Sequence, residues 1–128
     1  MFKKYAFIIF NLLTVSLSAY SDLRVCENEP VSDACVEEKF SYKTGESIFF
    51  TLLSDKMGSS QLVTFDVYQV VDTIRGEDQF LTSFNLETGA GWNYCYKSIQ
   101  FNTTGTYKVI AYIGKDYAAS ATVVAGEN

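Results

Sequence analysis

The 128-residue chain has no histidine and a single proline, and it is short of basic residues, with ten Lys and Arg against fifteen Asp and Glu. The missing histidines remove the usual general base near neutral pH, the commonest metal ligand and the Ser–His triad together. Catalysis would have to run on carboxylates, Lys, Tyr or Cys, and no constellation of those residues stands out by its spacing. The expectation is a protein with no enzymatic activity, no cofactor and no metal centre. The acidic excess repels phosphate backbones and the few Lys and Arg are scattered, so nucleic acid is not an expected partner. Charge alone would not hold the chain to an anionic membrane either. Internal repeats and low-complexity tracts are also missing, and beyond the N-terminus no stretch has the pattern of a long amphipathic helix.

At the N-terminus, Met1-Phe2-Lys3-Lys4 is a short basic start, and Tyr5 to Leu17 is apolar apart from Asn11, Thr14 and Ser16. Ser16-Leu17-Ser18-Ala19 then supplies small residues, the order of a secretory signal. The apolar run is shorter than the roughly 18 to 20 residues a membrane span needs. Residues 1–19 are therefore expected to be a cleaved signal peptide, with the protein secreted, periplasmic or in the cell envelope and without a membrane span after cleavage. No Cys follows the small residues, which argues against a lipoprotein anchor. Removal of Lys3 and Lys4 leaves eight basic residues against fifteen acidic ones, a net charge of −7.

Residues 20–39 read as an irregular leader. They mix acidic and turn-forming types around Pro30 with little apolar periodicity, so alone they would not offset their ordering entropy. Cys26 and Cys35 change that, because an exported protein meets an oxidising compartment. Three cysteines allow three single pairings. Proximity favours Cys26–Cys35, a small loop worth about 2 to 3 kcal/mol, with Cys95 left as a free or buried thiol. The competing arrangement joins one leader cysteine to Cys95. A reactive Cys95 would need a basic neighbour to form its thiolate, and only Lys97 is near in sequence.

From residue 40 to residue 128 the pattern is that of β-strands. Ser47–Leu53 has apolar residues on both faces, Ile48, Phe50 and Leu52 on one and Phe49, Thr51 and Leu53 on the other. Leu62–Val71 alternates, with Val63, Phe65, Val67 and Val71 pointing one way and Thr64, Asp66 and Tyr68 the other. Gln79–Leu86 places Phe80 and Phe84 on one side. After the turn Glu87–Gly91 comes a strand with Trp92, Tyr94 and Tyr96 on one face and Asn93, Cys95 and Lys97 on the other. Gly105 opens the next strand, whose Tyr107, Val109, Ala111 and Ile113 face inward. Gly114-Lys115-Asp116 is a hairpin link to a last strand whose Ala119, Ala121 and Val123 pack opposite. The expected fold is all-β, an antiparallel sandwich of about six to seven strands.

The runs SYKTGESIFFTL, VTFDVYQV, WNYCYKS and GTYKVIAYIGKDYAASATVVA resemble immunoglobulin-like β-sandwich modules of bacterial envelope and secreted proteins. The resemblance covers about Phe40 to Val124, although the antibody-type Cys–Trp–Cys spacing is absent. It implies an immunoglobulin-like sandwich over residues 40–128, with Tyr107 as a corner tyrosine whose hydroxyl bonds back to the backbone. Such modules host adhesion, spacer and binding roles, so the resemblance points to fold more than to function.

Among candidate sites, the row Trp92, Tyr94 and Tyr96 is the sharpest. On an exposed face it would stack on sugar rings or anchor a protein partner. Because Asn93, Cys95 and Lys97 are the more polar set, alternation favours turning the aromatic row into the core. The pairs Glu27/Glu29, Glu37/Glu38 and Glu77/Asp78 lack Ca²⁺-loop spacing and read as solvated charge. Asn102-Thr103-Thr104 is a glycosylation sequon only in a eukaryotic setting. The functional expectation is an exported non-catalytic binding or structural module with a protein or glycan partner at the cell surface. The competing expectation is a small carbohydrate-binding module using Trp92, Tyr94 and Tyr96.

Overall fold

A computed structural model describes residues 21–30, 35, 37–57, 62–72, 74–75 and 77–127. The signal-peptide reading of residues 1–19 lies outside the described residues. Among those described there are eight strands and no helix: β1 (Ser21–Cys26), β2 (Ser41–Lys43), β3 (Ser47–Ser54), β4 (Leu62–Asp72), β5 (Glu77–Glu87), β6 (Tyr94–Gln100), β7 (Gly105–Ile113) and β8 (Asp116–Gly126). They form two sheets, one of three strands in the order β1-β3-β6 and one of five in the order β2-β8-β7-β4-β5. Every pairing is antiparallel except β2 with β8, which is parallel.

The two inner faces make one core. Ile48, Phe50 and Leu52 of β3 meet Val63, Phe65 and Val67 of β4 and the inward row of β7. Complete burial of side chains of this size is worth about 1.5 to 3 kcal/mol each. The inward row of β7 is as its parity requires, with Tyr107, Val109, Ala111 and Ile113 all buried. Opposite it, Tyr107 pairs with Val123, Val109 with Ala121 and Ala111 with Ala119. Tyr107 forms the expected corner: its hydroxyl donates to the Thr103 carbonyl at 2.8 Å and lies 2.7 Å from the Thr103 Oγ1. Its ring stacks on Phe101 with centroids 4.0 Å apart.

Four expectations change. The leader is not wholly irregular, because Ser21–Cys26 is a strand pairing with β3 from Ser21↔Ser54 to Cys26↔Phe49. Its weak periodicity hides two inward residues, Leu23 and Val25, both buried. With β1 and the short β2 added, the strand count rises from the expected six or seven to eight. Phe80 and Phe84 do not share a side, because Val67 pairs with Thr82 and Tyr68 with Phe80, leaving Leu81 as an unpaired extra residue. Such a bulge reverses parity beyond it. Phe84 therefore packs on the core, while Phe80 turns outward against Tyr68 at 5.6 Å. A second irregularity between Val70 and Asp72 leaves Val71 61 % exposed rather than in line with Val63.

Cys26 and Cys35 are joined as a disulfide, and Cys95 is free and buried. The disulfide segment then returns along the open side of β1. Glu38 bridges Cys26, and the Lys39 backbone N–H donates to the Val25 carbonyl at 3.1 Å. The link from β2 to β3 turns at Gly45, whose φ of 87° suits glycine. There the Glu46 carboxylate accepts the Lys43 N–H at 2.6 Å.

Candidate functional site

The site grows from the turn between β5 and β6. Six residues, 88–93, carry the chain from one sheet to the other. The Trp92 backbone N–H donates to the Gly89 carbonyl at 3.2 Å, which closes the turn. The indole then folds back onto Gly89 so closely that a Cβ there would stand 2.7 Å from Trp92 Nε1. Trp92 is thus held against backbone while 47 % exposed.

The faces of β6 are set by its pairing with β3. Cys95 stands opposite Leu52, Lys97 opposite Phe50 and Ile99 opposite Ile48. Those β3 residues are core, so Cys95 and Ile99 are buried and Tyr94, Tyr96 and Ser98 face outward. This reverses the core reading of the aromatic row. Trp92 is half-exposed in the turn, and Tyr94 and Tyr96 are half-buried on the outer face. Polarity of the alternate set misled, because a thiol is among the most readily buried groups. Lys97 reaches across to lay its Nζ 4.8 Å from the Phe84 ring centroid.

On one side of the sandwich β1 packs across to β8. On the other, a cleft of about 510 Å³ separates β6 from the end of β5, lined by Leu86, Glu87, Gly91, Trp92, Asn93, Tyr94, Cys95 and Tyr96. All three aromatic candidates line it. Its volume lies in the range of small-molecule and peptide sites, roughly 300 to 1,000 Å³.

One contact ties the leader to this cleft. The Tyr96 hydroxyl donates to Glu29 Oε2 at 2.8 Å, and the Tyr96 ring is 6.0 Å from that of Phe49. The Glu29 carboxylate holds the Tyr96 phenol above its ordinary range. Leu86, Glu87 and Asn93 were not singled out as site residues from sequence, and Glu29 was read there only as solvated charge beside Glu27. The polar-turn composition around Gly89 and Gly91 was the only signal for the first three, and nothing in the sequence joins Glu29 to a residue 67 positions away. Burial pushes the Cys95 thiol up to about 12, so it stays protonated at neutral pH. Cys26 and Cys35, being bonded to each other, supply no thiol.

The chain matches no protein-family model, and no curated protein matches it in sequence. Among solved structures it is similar to an immunoglobulin-like protein from Pseudomonas aeruginosa, with a TM-score of 0.50, 13 % identity, and coverage of 85 % of this chain and 98 % of that one. The fold is an immunoglobulin-like β-sandwich. Also similar, at a TM-score of 0.49, is a superoxide reductase (neelaredoxin) from Ignicoccus hospitalis, with 10 % identity over 90 % of this chain and 86 % of that one. In this immunoglobulin-like sandwich the cleft follows from topology: the short link 88–93 adds no strand beside β6, so the edge of the smaller sheet stays open.

Proposed function

We propose that this chain is an exported, non-catalytic binding module of the cell envelope or extracellular space, and that its ligand sits in the cleft between β5 and β6. One observation carries the reading: Trp92, Tyr94 and Tyr96 line a single 510 Å³ cleft, and the indole is held in place on Gly89 while half-exposed. An aromatic fixed before binding loses little entropy when a ligand covers it. The disulfide Cys26–Cys35 supports an oxidising location, as does the signal-like order of residues 1–19. The protonated Cys95 and the absence of histidine support a non-catalytic role.

The competing reading is a carbohydrate-binding module. It is favoured by the company of Trp92: an exposed indole beside the Glu87 carboxylate and the Asn93 amide offers stacking plus hydrogen bonds to a sugar ring. A glycan array and a displayed peptide library, each probed with the wild-type protein and with Trp92→Ala, test the cleft and separate the two ligand classes. A ligand captured by the wild type and lost with Trp92→Ala is the expected result. Ligands retained equally by Trp92→Ala would put recognition elsewhere and overturn the reading.

A further inference from the structure

We infer that the occupant of this cleft is an extended segment of a partner protein, which adds a strand to the open edge of β6 by main-chain pairing. The inference rests on the reading of the cleft as the binding site and names the kind of ligand it takes.

The direction of the β6 main-chain groups follows from one bond. The Ser54 N–H donates to the Asn93 carbonyl at 3.0 Å, across the same register that pairs Leu53 with Tyr94. In an antiparallel ladder, bonded and non-bonded pairs alternate. Asn93, Cys95, Lys97 and Ile99 therefore turn their main-chain groups to β3, and Tyr94, Tyr96 and Ser98 turn theirs to the open edge. No bond to those three N–H or C=O groups is present among the described residues. The opposite edge of the same sheet is treated differently: the equivalent groups of Val25 are taken by Lys39 N–H and, at 3.4 Å, by the Glu38 carboxylate. One edge is covered by the chain itself at Val25, and the other opens into the cleft.

The second open edge, β5, is a poorer template. The extra residue Leu81 interrupts it, whereas β6 pairs with β3 without a register shift from Ser47↔Gln100 to Leu53↔Tyr94. An unbroken edge with free donors and acceptors is what strand addition needs.

The surroundings fix the chemistry of the incoming segment. A strand laid beside β6 would send alternate side chains to its two faces. One set would enter the sandwich beside Cys95, Leu86 and Phe84, an apolar wall; the other would lie beside Tyr94 and Tyr96 on the outside. Glu87 on the wall and Glu29 at the Tyr96 hydroxyl make the rim acidic, while Lys97 is turned onto Phe84. The segment that fits alternates apolar and polar residues over about five positions, since Tyr94 to Ser98 spans about 13 Å, and carries a basic residue near Glu87.

The test uses a displayed library of octapeptides alternating apolar and polar residues, followed by amide hydrogen exchange on the full protein with the best binder. The expected result is enrichment of Lys or Arg at one end, a change in Trp92 fluorescence, and at least about tenfold slower exchange of the Tyr94, Tyr96 and Ser98 amides. N-methylation of the peptide on its pairing edge should abolish all three. Ser98→Pro, which removes an edge donor without touching the β3 ladder or the aromatics, should weaken binding about tenfold or more while leaving the melting curve of the free protein in place. A peptide that shifts Trp92 without protecting those amides overturns strand addition and leaves the cleft reading standing. So does a glycan that binds through Trp92 when no peptide does. Should neither class disturb Trp92, both readings fall.

Discussion

The Tyr96 hydroxyl and the Glu29 carboxylate meet at 2.8 Å across 67 positions of sequence. The contact exists because Cys26 ends β1 beside Phe49, and residues 27–30, running on from the disulfide-bonded Cys26, bring Glu29 to the outer face of β6. Double replacement Cys26→Ser/Cys35→Ser should cost about 2 to 3 kcal/mol in urea titration, the loop-closure value for a span of this length. The same variant should lower the Tyr96 phenol toward its ordinary range, as should Glu29→Gln alone, read by ultraviolet titration of the tyrosines. Unchanged titration in both variants would sever the link between leader and cleft.

Tyr107→Phe tests the corner. Its hydroxyl spends its proton on the Thr103 carbonyl and accepts from the Thr103 hydroxyl, in a nearly closed site. Removal should cost about 1 to 2 kcal/mol by chemical denaturation. Thr103→Ala keeps the carbonyl and should cost distinctly less. Equal losses would mean that the side-chain bond matters more than the bond to the backbone.

Much of the fold was legible in the sequence because parity works wherever one face is buried and the ladder is regular. The inward row of β7 and its partners on β8 follow directly from period two. Legibility failed where parity was broken or was judged by polarity. Leu81 and the shift beside Val71 insert extra residues that no local composition announces. On β6 the choice between two faces rested on comparing Cys95 and Lys97 with three aromatics, and pairing with β3 decided it the other way. The cleft itself was hidden, since its walls belong to different sheets and its rim to the leader.

Tyr42→Phe should leave stability unchanged or raise it by up to about 1 kcal/mol. The Tyr42 hydroxyl is buried with no hydrogen-bond partner among the described residues, while Lys39 lies 4.9 Å over the ring. Phenylalanine keeps the ring for the ammonium and removes a desolvated hydroxyl. A loss of 2 kcal/mol or so would indicate a partner for that oxygen. Thermal and urea melts at neutral pH decide it.

Alkaline stability should betray Cys95. Burial raises the thiol from its ordinary 9.0 to about 12 in the folded chain. The unfolded chain therefore loses this proton first, so the stability is fully present below about pH 9 and drains away as pH rises toward 12. Burial, with help from Glu27, Glu46 and Glu38, raises Tyr42 from 10.0 to about 12, and the same sign applies from pH 10 upward. Cys95→Ala should cost about 1 to 2 kcal/mol at pH 7. It should also move the onset of alkaline loss from about pH 9 to about pH 10, read from urea midpoints between pH 7 and 11. An unaltered onset would show that the thiol does not titrate through the fold.

Gly89→Ala separates the platform from the fold. The new Cβ would stand 2.7 Å from Trp92 Nε1, too near to be accommodated unmoved, yet the atom it strikes is on a side chain that can swing away. The cost to stability should therefore be small, below about 1 kcal/mol, while the indole leaves its place on the turn. Trp92 is the only tryptophan, so its emission and its quenching by acrylamide report on that movement alone. In the wild type a half-exposed indole should be quenchable, and in Gly89→Ala more so. Any ligand that depends on a pre-placed indole should then bind more weakly to Gly89→Ala, though every side chain of the cleft is still present. Undiminished binding with a displaced indole would show that Trp92 borders the site without contributing to recognition.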